Sequence, residues 1–126
     1  MKKILITGAN SYVGVSVENW LKQWKEEYIV DTVDMISDKW REKSFKGYDV
    51  VFHVAGIAHV STDPSMEELY YKVNRDLTIE TAKKAKNEGV DQFIFMSSII
   101  VYGESSKINE IRVITKDTIP EPTNFY

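Results

Sequence analysis

Short, continuous apolar runs alternate with amphipathic helical stretches along this 126-residue chain, and this alternation is the strongest constraint on its fold. Strands of a parallel sheet have such runs, because helices cover both faces of the sheet. The runs are KKILIT (2–7), YIVDTVDM (28–35), YDVVFHVAG (48–56) and QFIFMSS (92–98). Their order predicts an α/β domain made of right-handed β–α–β units around a parallel sheet.

Two helices are predicted between these strands. The first runs from Val13 to Trp24, with apolar side chains at helical spacing. The second follows Pro64, where Ser65 and Glu68 fit a capping box, and it stops near Gly89. We also expect a short strand at residues 43–45. The aromatic side chains expected in the core are Trp20, Trp24, Phe93 and Phe95.

Composition excludes several classes of function. The chain has no cysteine, so disulfides and thiolate metal sites are excluded. The formal charge of −3 gives no reason to expect nucleic acid or an anionic membrane as a partner. The apolar run after the basic start is too short for a signal-peptide core, and no stretch has the length of a membrane span. We therefore expect a soluble cytoplasmic protein.

A glycine-containing turn, ITGANSYVG, joins the first strand to the first helix. Gly8 and Gly14 occupy the first and last glycine positions of a dinucleotide-binding turn, whose helix N-terminus offers free N–H groups to a pyrophosphate. Ser11 stands where a further glycine would let the backbone approach the phosphate. An ordinary strand-to-helix turn is therefore the alternative interpretation of this segment.

A carboxylate follows at the spacing that a nucleotide site requires. Asp34 lies twenty positions after Gly14, at the end of the second run, where it could accept hydrogen bonds from an adenosine ribose. Asp31 competes for this role, although it lies within the strand. Because a carboxylate repels a 2′-phosphate, this position predicts a preference for NAD over NADP.

Four segments together resemble the extended short-chain dehydrogenase/reductase family, in order and in spacing. They are TGANSYVG (7–14), VVFHVAG (50–56), YYKVNRDLT (70–78) and FMSSIIVYG (95–103). Within that family the chain is similar to NAD-dependent sugar-nucleotide epimerases and dehydratases, such as UDP-glucose 4-epimerase. The resemblance implies a doubly wound, Rossmann-type parallel sheet, NAD as the cofactor and a nucleotide sugar as the substrate. It also implies an N-terminal portion that stops before the last strands and the substrate domain.

The resemblance implies two catalytic residues. Ser98 matches the family serine that holds the reacting hydroxyl, and Tyr126 matches the tyrosine that opens the family's Y-x-x-x-K motif. In the family, the lysine and the nicotinamide lower the tyrosine pKa from about 10, so that the phenolate can act as a base. The chain ends before that lysine, so we expect Tyr126 to be a mobile terminal residue and the 126-residue chain to be inactive.

The resemblance also implies a set of cofactor-contacting positions. Asn74 matches the asparagine of the long helix, and Ser44 with Phe45 stands where many relatives have an aspartate and an apolar residue against adenine. The full predicted cofactor set is Gly8, Asn10, Ser11, Tyr12, Val13, Gly14, Asp34, Met35, Ser44, Phe45, Val54, Ala55, Gly56, Asn74, Met96 and Ser97. His53 is expected to be structural and His59 a loop residue, and together they make a poor metal site.

Two other classes of protein remain as alternatives. A non-catalytic NAD(P)-binding or nucleotide-sensing domain would explain serine at positions 11 and 44. Flavodoxin-like and receiver domains share the alternating pattern but need a different chemistry after the first strand. A sheet without its later strands would also leave an open edge, so we expect self-association or homo-oligomers.

Overall fold

A computed structural model describes residues 1–58, 63–103 and 109–126 of the chain. Four parallel strands form one sheet in the order β2-β1-β3-β4. The strands are β1 (Lys2–Thr7), β2 (Tyr28–Val33), β3 (Val50–His53) and β4 (Gln92–Phe95). The chain crosses from β1 to β2 and then back past β1 to β3, so the prediction of a Rossmann-type parallel sheet is confirmed.

Helices connect these strands. They are α1 (Tyr12–Leu21), α2 (Glu67–Tyr70) and α3 (Leu77–Asn87), with a π-helical segment, Tyr71–Asp76, between α2 and α3. Short 3₁₀ turns lie at Asp38–Arg41, Pro64–Met66 and Ile99–Tyr102. None of the helices within the described ranges has the length and apolarity needed to cross a lipid bilayer.

The two faces of the sheet carry separate apolar clusters. Side chains alternate along β1, so Ile4 and Ile6 face α1 while Leu5 faces the opposite side. The cluster under α1 also contains Val50, and Val17 and Leu21 of the helix pack against it. The opposite cluster contains Leu5, Val33, Met35, Trp40, Phe45, Val51 and Ala85. Because each face has its own helix, the carboxyl ends of the strands stay open along one rim of the sheet.

The prediction that Trp20 and Trp24 lie in the core is wrong. Trp20 is 60% exposed and Trp24 is 37% exposed. Helix α1 ends at Leu21, and it packs on the sheet through Val17 and Leu21, so Trp20 lies at the flank of the helix and Trp24 beyond its end. The two rings pack edge to face instead, with their centroids 4.9 Å apart.

Two predicted local features also differ from the structure. Residues 43–45 do not form a strand, because the Phe45 amide donates to the Glu88 carboxylate (2.5 Å) instead of to a neighbouring strand. The predicted capping box at Ser65 is replaced by Asp63, whose Oδ1 accepts from the Ser65 amide at 2.9 Å. The hydrogen bonds from Ser65 lower the pKa of the Asp63 carboxyl.

Strand β4 lies at the edge of the sheet, and this position explains a third difference. Phe95 is 50% exposed and Ile94 is 39% exposed, although these side chains are apolar. Phe93 is partly buried against the α3-side cluster. The prediction that Phe93 and Phe95 both lie in the core is therefore wrong for Phe95, because no described strand covers the outer side of β4.

Candidate functional site

A cavity of about 450 Å³ opens at the carboxyl ends of β1, β3 and β4. It is lined by three groups of residues from different parts of the sequence, and by two single residues, Asn74 and Tyr126. The groups are the start of α1 (Ser11, Tyr12, Val13), the loop after β3 (Val54, Ala55, Gly56, Ile57, Ala58) and the end of β4 with the segment that follows it (Phe95, Met96, Ser97, Ser98, Ile100, Val101). Ligands of open parallel sheets bind at this rim, so the cavity is the candidate site.

The glycine turn brings the backbones of two strand ends close together. Gly8 has a φ of +87°, and a Cβ at this position would lie 3.0 Å from the Ala55 amide nitrogen. Asn10 also has a positive φ, of 66°. A Cβ on Gly14 would lie 2.6 Å from Ser11 Oγ and 3.0 Å from the Gly8 carbonyl oxygen. Both glycines are therefore required by close approach. Gly8, Asn10 and Gly14 do not line the cavity, which this segment reaches through Ser11, Tyr12 and Val13.

Ser11 is the N-cap of α1. Its Oγ accepts a hydrogen bond from the Gly14 amide at 3.1 Å. The serine that interrupts the glycine pattern thus satisfies one of the free N–H groups of the helix, which a capping serine usually does. The sequence pattern predicts a helix that starts at Val13, whereas α1 starts at Tyr12, directly after Ser11. The capping role of this serine was therefore missed, and the glycine pattern directs attention to the missing glycine instead.

Asp34 lies just after β2 and is exposed to solvent. Its Oδ1 accepts from the Ile36 amide at 2.9 Å, which fixes the side chain in a local turn and leaves Oδ2 without a partner among the described hydrogen bonds. Met35 is only 8% exposed and belongs to the core cluster of the α3 side. The structure therefore places the Asp34 carboxylate at the rim but does not place the Met35 side chain there.

Ser44 and Phe45 lie outside the lining of the cavity. Phe45 is fully buried beside Trp40, with ring centroids 6.4 Å apart. Ser44 Oγ donates to Glu88 at 3.1 Å. Burial alone would raise the pKa of Glu88, but the hydrogen bonds from Lys84, the Phe45 amide and Ser44 outweigh burial and lower it. The segment predicted to contact adenine is thus anchored to the C-terminal end of α3.

Asn74 joins the π-helical segment to the loop after β3. Its Oδ1 accepts from the Ile57 amide at 2.8 Å, and its Nδ2 donates to the Ile57 carbonyl at 2.9 Å. A Cβ on Gly56 would lie 3.1 Å from Asn74 Oδ1, so the loop and the side chain fit tightly together. Asn74 lines the cavity and at the same time fixes the loop that forms one of its walls.

The two residues predicted to be catalytic both line this cavity. Ser98 is the N-cap of the 3₁₀ turn after β4, and its Oγ accepts from the Ile100 amide at 3.4 Å. Tyr126 packs edge to face on Tyr70 and is 37% exposed. The expectation that Tyr126 is a mobile terminal residue therefore differs from its packed position in the structure.

A buried histidine network lies beneath the cavity. The Thr78 hydroxyl donates to the Asn74 carbonyl at 2.9 Å, so it accepts from His53 Nε2 (2.9 Å). His53 Nδ1 must then accept from the Thr7 hydroxyl (2.7 Å), which defines a neutral imidazole protonated on Nε2. Burial lowers the pKa of His53 to about 4. His53 is structural, as predicted, whereas its partners could not be identified from their positions in the sequence.

Metal binding has no support from the described part of the chain. Within residues 1–58, 63–103 and 109–126, no three His, Asp or Glu side chains are grouped closely enough to hold a metal ion. Both nitrogens of His53 are hydrogen-bonded to threonine hydroxyls. His59 lies outside the described residues.

Comparison with known proteins gives the family directly. Residues 4–126 match the profile of the NAD dependent epimerase/dehydratase family. The chain belongs to this family. It is 34% identical over 125 residues to the UDP-glucose 4-epimerase of Vibrio cholerae, a match that covers 85% of this chain and 38% of that relative. The chain therefore spans about two fifths of the length of this curated relative.

Several solved structures share the fold of this chain. A UDP-glucuronic acid 4-epimerase from Bacillus cereus, in complex with NAD, superposes with a TM-score of 0.76 at 22% identity over 98% of this chain and 47% of its own. A UDP-glucose 4-epimerase gives a TM-score of 0.79 at 24% identity over 99% of this chain and 43% of its own. A protein named RMD, from Pseudomonas aeruginosa and complexed with NADPH, gives a TM-score of 0.74 at 23% identity. The match covers 100% of this chain and 44% of that protein.

Proposed function

We propose that this chain is the NAD-binding part of a nucleotide-sugar epimerase or dehydratase. The observation that carries the proposal is the composition of one cavity. It is lined by the start of α1 that follows the glycine turn, by the loop after β3 that Asn74 holds, and by Ser98 and Tyr126. Each of these segments matches a family signature in the sequence, and family membership is established by residues 4–126. The V. cholerae relative and the B. cereus structure are both named as 4-epimerases of UDP sugars.

The residues present fit a dinucleotide. Gly8 and Gly14 leave their own positions of the turn without a side chain, and the first residues of α1, which line the cavity, would offer backbone N–H groups to a pyrophosphate. Asp34 Oδ2 would accept from a ribose hydroxyl at the end of β2. Ala55 and Gly56 leave room beside the loop after β3, and Met96 with Ser97 forms the wall next to β4.

Ser98 and Tyr126 would act on the sugar. Ser98 would hydrogen-bond the reacting hydroxyl, and the Tyr126 phenolate would accept its proton. NAD, when bound, supplies the hydride acceptor. A free tyrosine has a pKa of about 10, so Tyr126 needs a nearby positive charge to serve as a base at neutral pH.

A non-catalytic NAD-binding domain is the second candidate. It is favoured by the hydrogen bond from the Gly14 amide to Ser11 Oγ, which occupies one helix N–H group, and by the attachment of Ser44 to Glu88. The two candidates are distinguished by an assay for conversion of nucleotide sugars, carried out on the full-length protein that contains these residues. A catalytic protein converts UDP-glucose or a related nucleotide sugar and loses this activity with Tyr126→Phe, whereas a binding domain converts none.

Titration calorimetry with NAD and NADP tests the cofactor assignment. We expect NAD to bind more tightly, by roughly tenfold or about 1.4 kcal/mol, because a 2′-phosphate beside Asp34 is repelled by its carboxylate. Asp34→Asn should weaken NAD binding and reduce this preference. Asp31→Asn is the matched control, because Asp31 lies on β2 and accepts from the Tyr48 hydroxyl at 2.6 Å. Equal or tighter binding of NADP to the unmodified chain would contradict the role of Asp34.

A further inference from the structure

Tyr70 is a fully buried tyrosine at the last position of α2, directly before the π-helical segment. Two aromatic rings from the end of the chain pack against it. The Phe125 ring centroid lies 5.2 Å from that of Tyr70 at an interplanar angle of 72°, and the Tyr126 centroid lies 5.9 Å away at 77°. Both are edge-to-face arrangements, which aromatic pairs prefer because the edge of one ring is attracted to the face of the other.

The neighbouring residue has a different environment. Tyr71 is 38% exposed, and its ring packs under the Arg75 guanidinium, 4.7 Å from the ring centroid. The adjacent pair Tyr70 and Tyr71 thus divides into an inner ring that contacts the chain end and an outer ring on the helix surface. The contact with residues 125 and 126 is therefore a property of Tyr70 rather than of aromatic residues on this helix in general.

A second contact holds the same segment of the chain. The Glu121 amide donates to the Val101 carbonyl at 2.9 Å. Gly103 has a φ of +87°, and a Cβ on it would lie 2.8 Å from the Glu121 carbonyl oxygen. Residues 121–126 are thus held at one end by the turn after β4, which also carries Ser98, and at the other end by Tyr70.

We propose that Tyr70 is a positioning residue that holds the Tyr126 ring at the wall of the cavity that Ser98 also lines. Tyr70 does not line the cavity, whereas Tyr126 does, so Tyr70 would act through Tyr126. This inference rests on the proposed function, because it gives Tyr70 a task in the reaction only if Tyr126 accepts the proton. An oriented base matters because proton transfer requires hydrogen-bonding distance to the reacting hydroxyl.

Fluorine NMR on the 126-residue chain labelled with 3-fluorotyrosine tests the placement directly. The chain has seven tyrosines, and the Tyr126 resonance is identified by its loss in Tyr126→Phe. We expect this resonance to be displaced from that of free fluorotyrosine and to shift again when NAD is added. Tyr70→Phe keeps the ring and should retain both effects. Tyr70→Leu should move the resonance to the free position and abolish its response to NAD, while calorimetry shows unchanged NAD affinity.

Tyr71→Leu is the matched control, and it should leave the Tyr126 resonance in place. Persistence of both Tyr126 shifts in Tyr70→Leu would overturn the proposal. If Tyr70→Leu does not fold, nuclear Overhauser contacts between the Tyr70 and Tyr126 rings in the unmodified chain decide, and their absence overturns it equally. If NAD does not bind to the unmodified chain, the proposed function fails, but the Tyr126 shift without NAD still tests the role of Tyr70.

Discussion

At the scale of single residues, His53 makes the stability of this fold depend on pH. The imidazole is fully buried and neutral between the hydroxyls of Thr7 and Thr78. Its ring stacks on the Phe93 ring, with the two ring centroids 5.7 Å apart. Its pKa falls from 6.5 to about 4 because burial disfavours the charged form. The unfolded chain therefore binds more protons than the native state between these two values, and stability must fall as the pH is lowered through this window.

We predict a loss of roughly 2 kcal/mol in unfolding free energy between pH 7.5 and pH 5, from the difference between a native pKa near 4 and an unfolded pKa near 6.5. Urea titration at both pH values measures it. His53→Leu should be less stable at pH 7.5, because two threonine hydroxyls lose their partner, but its stability should change little down to pH 5. The other histidine provides the control, and His59→Gln should keep the full pH dependence. A pH-independent stability of the unmodified chain would contradict this account of His53.

Residue identity was predictable where one residue type is required by local geometry. Gly8 and Gly14 are identified by their spacing around a strand-to-helix turn, and the close approaches at both positions require glycine. The assignment of Asp34 to a ribose stays a prediction. The partners of His53 were not predictable, because Thr7 and Thr78 lie 46 and 25 positions away and their hydroxyls have no special spacing. The sequence likewise could not show that Ser44 would be attached to Glu88, 44 positions later.

At the scale of secondary-structure elements, the long stretch from Pro64 to Asn87 is divided into four pieces. A periodic apolar pattern predicts one continuous helix, but residues 71–76 have the wider π-helical spacing. Such segments often occur at functional sites, where the extra residue redirects a side chain. Here the π-helical segment contains Asn74, and the Asn74 amide reaches both backbone groups of Ile57. The apolar period predicts the helical stretch but not the π-helical segment, which carries the contact between Asn74 and the loop.

We predict that Asn74→Ala loosens the loop after β3. Two partly buried hydrogen bonds to Ile57 are lost, which should cost about 1–3 kcal/mol in unfolding free energy. Amide hydrogen exchange at Gly56 and Ile57 should accelerate, because their local structure no longer has the side-chain clamp. NAD should bind more weakly, since this loop lines the cavity. Asn87→Ala, at the exposed end of α3, is the control and should change neither quantity. Unaltered exchange at Ile57 in Asn74→Ala would show that the loop is held by other contacts.

At the scale of the whole molecule, the sheet is predictable from the strand pattern, whereas the environment of its last strand is not. The apolar run in β4 correctly predicts a strand, and a strand with both neighbours present would bury all of these side chains. In this chain β4 pairs with β3 alone among the described strands, and Ile94, Phe95 and Met96 are 39%, 50% and 45% exposed. Whether the side chains of a strand are buried depends on the chain segments that cover it, and the apolar pattern of the strand itself does not show which segments these are.

This open edge leads to a prediction about association in solution. A strand edge with unpaired backbone groups and adjacent apolar side chains is a template for pairing with another chain. We predict that the 126-residue chain self-associates as its concentration is raised, as measured by sedimentation equilibrium. Ile94→Lys should shift the equilibrium toward the monomer, because a charged side chain would have to be buried if a second copy covered this part of the sheet.

Ile36→Lys is the matched control, since Ile36 is 95% exposed in the loop after β2, and it should leave association unchanged. A monomer at all concentrations, with no binding of a dye that detects exposed apolar surface, would refute the prediction. Association that is insensitive to Ile94→Lys but weakened by Ile36→Lys would place the contact at the other edge of the sheet, beside β2.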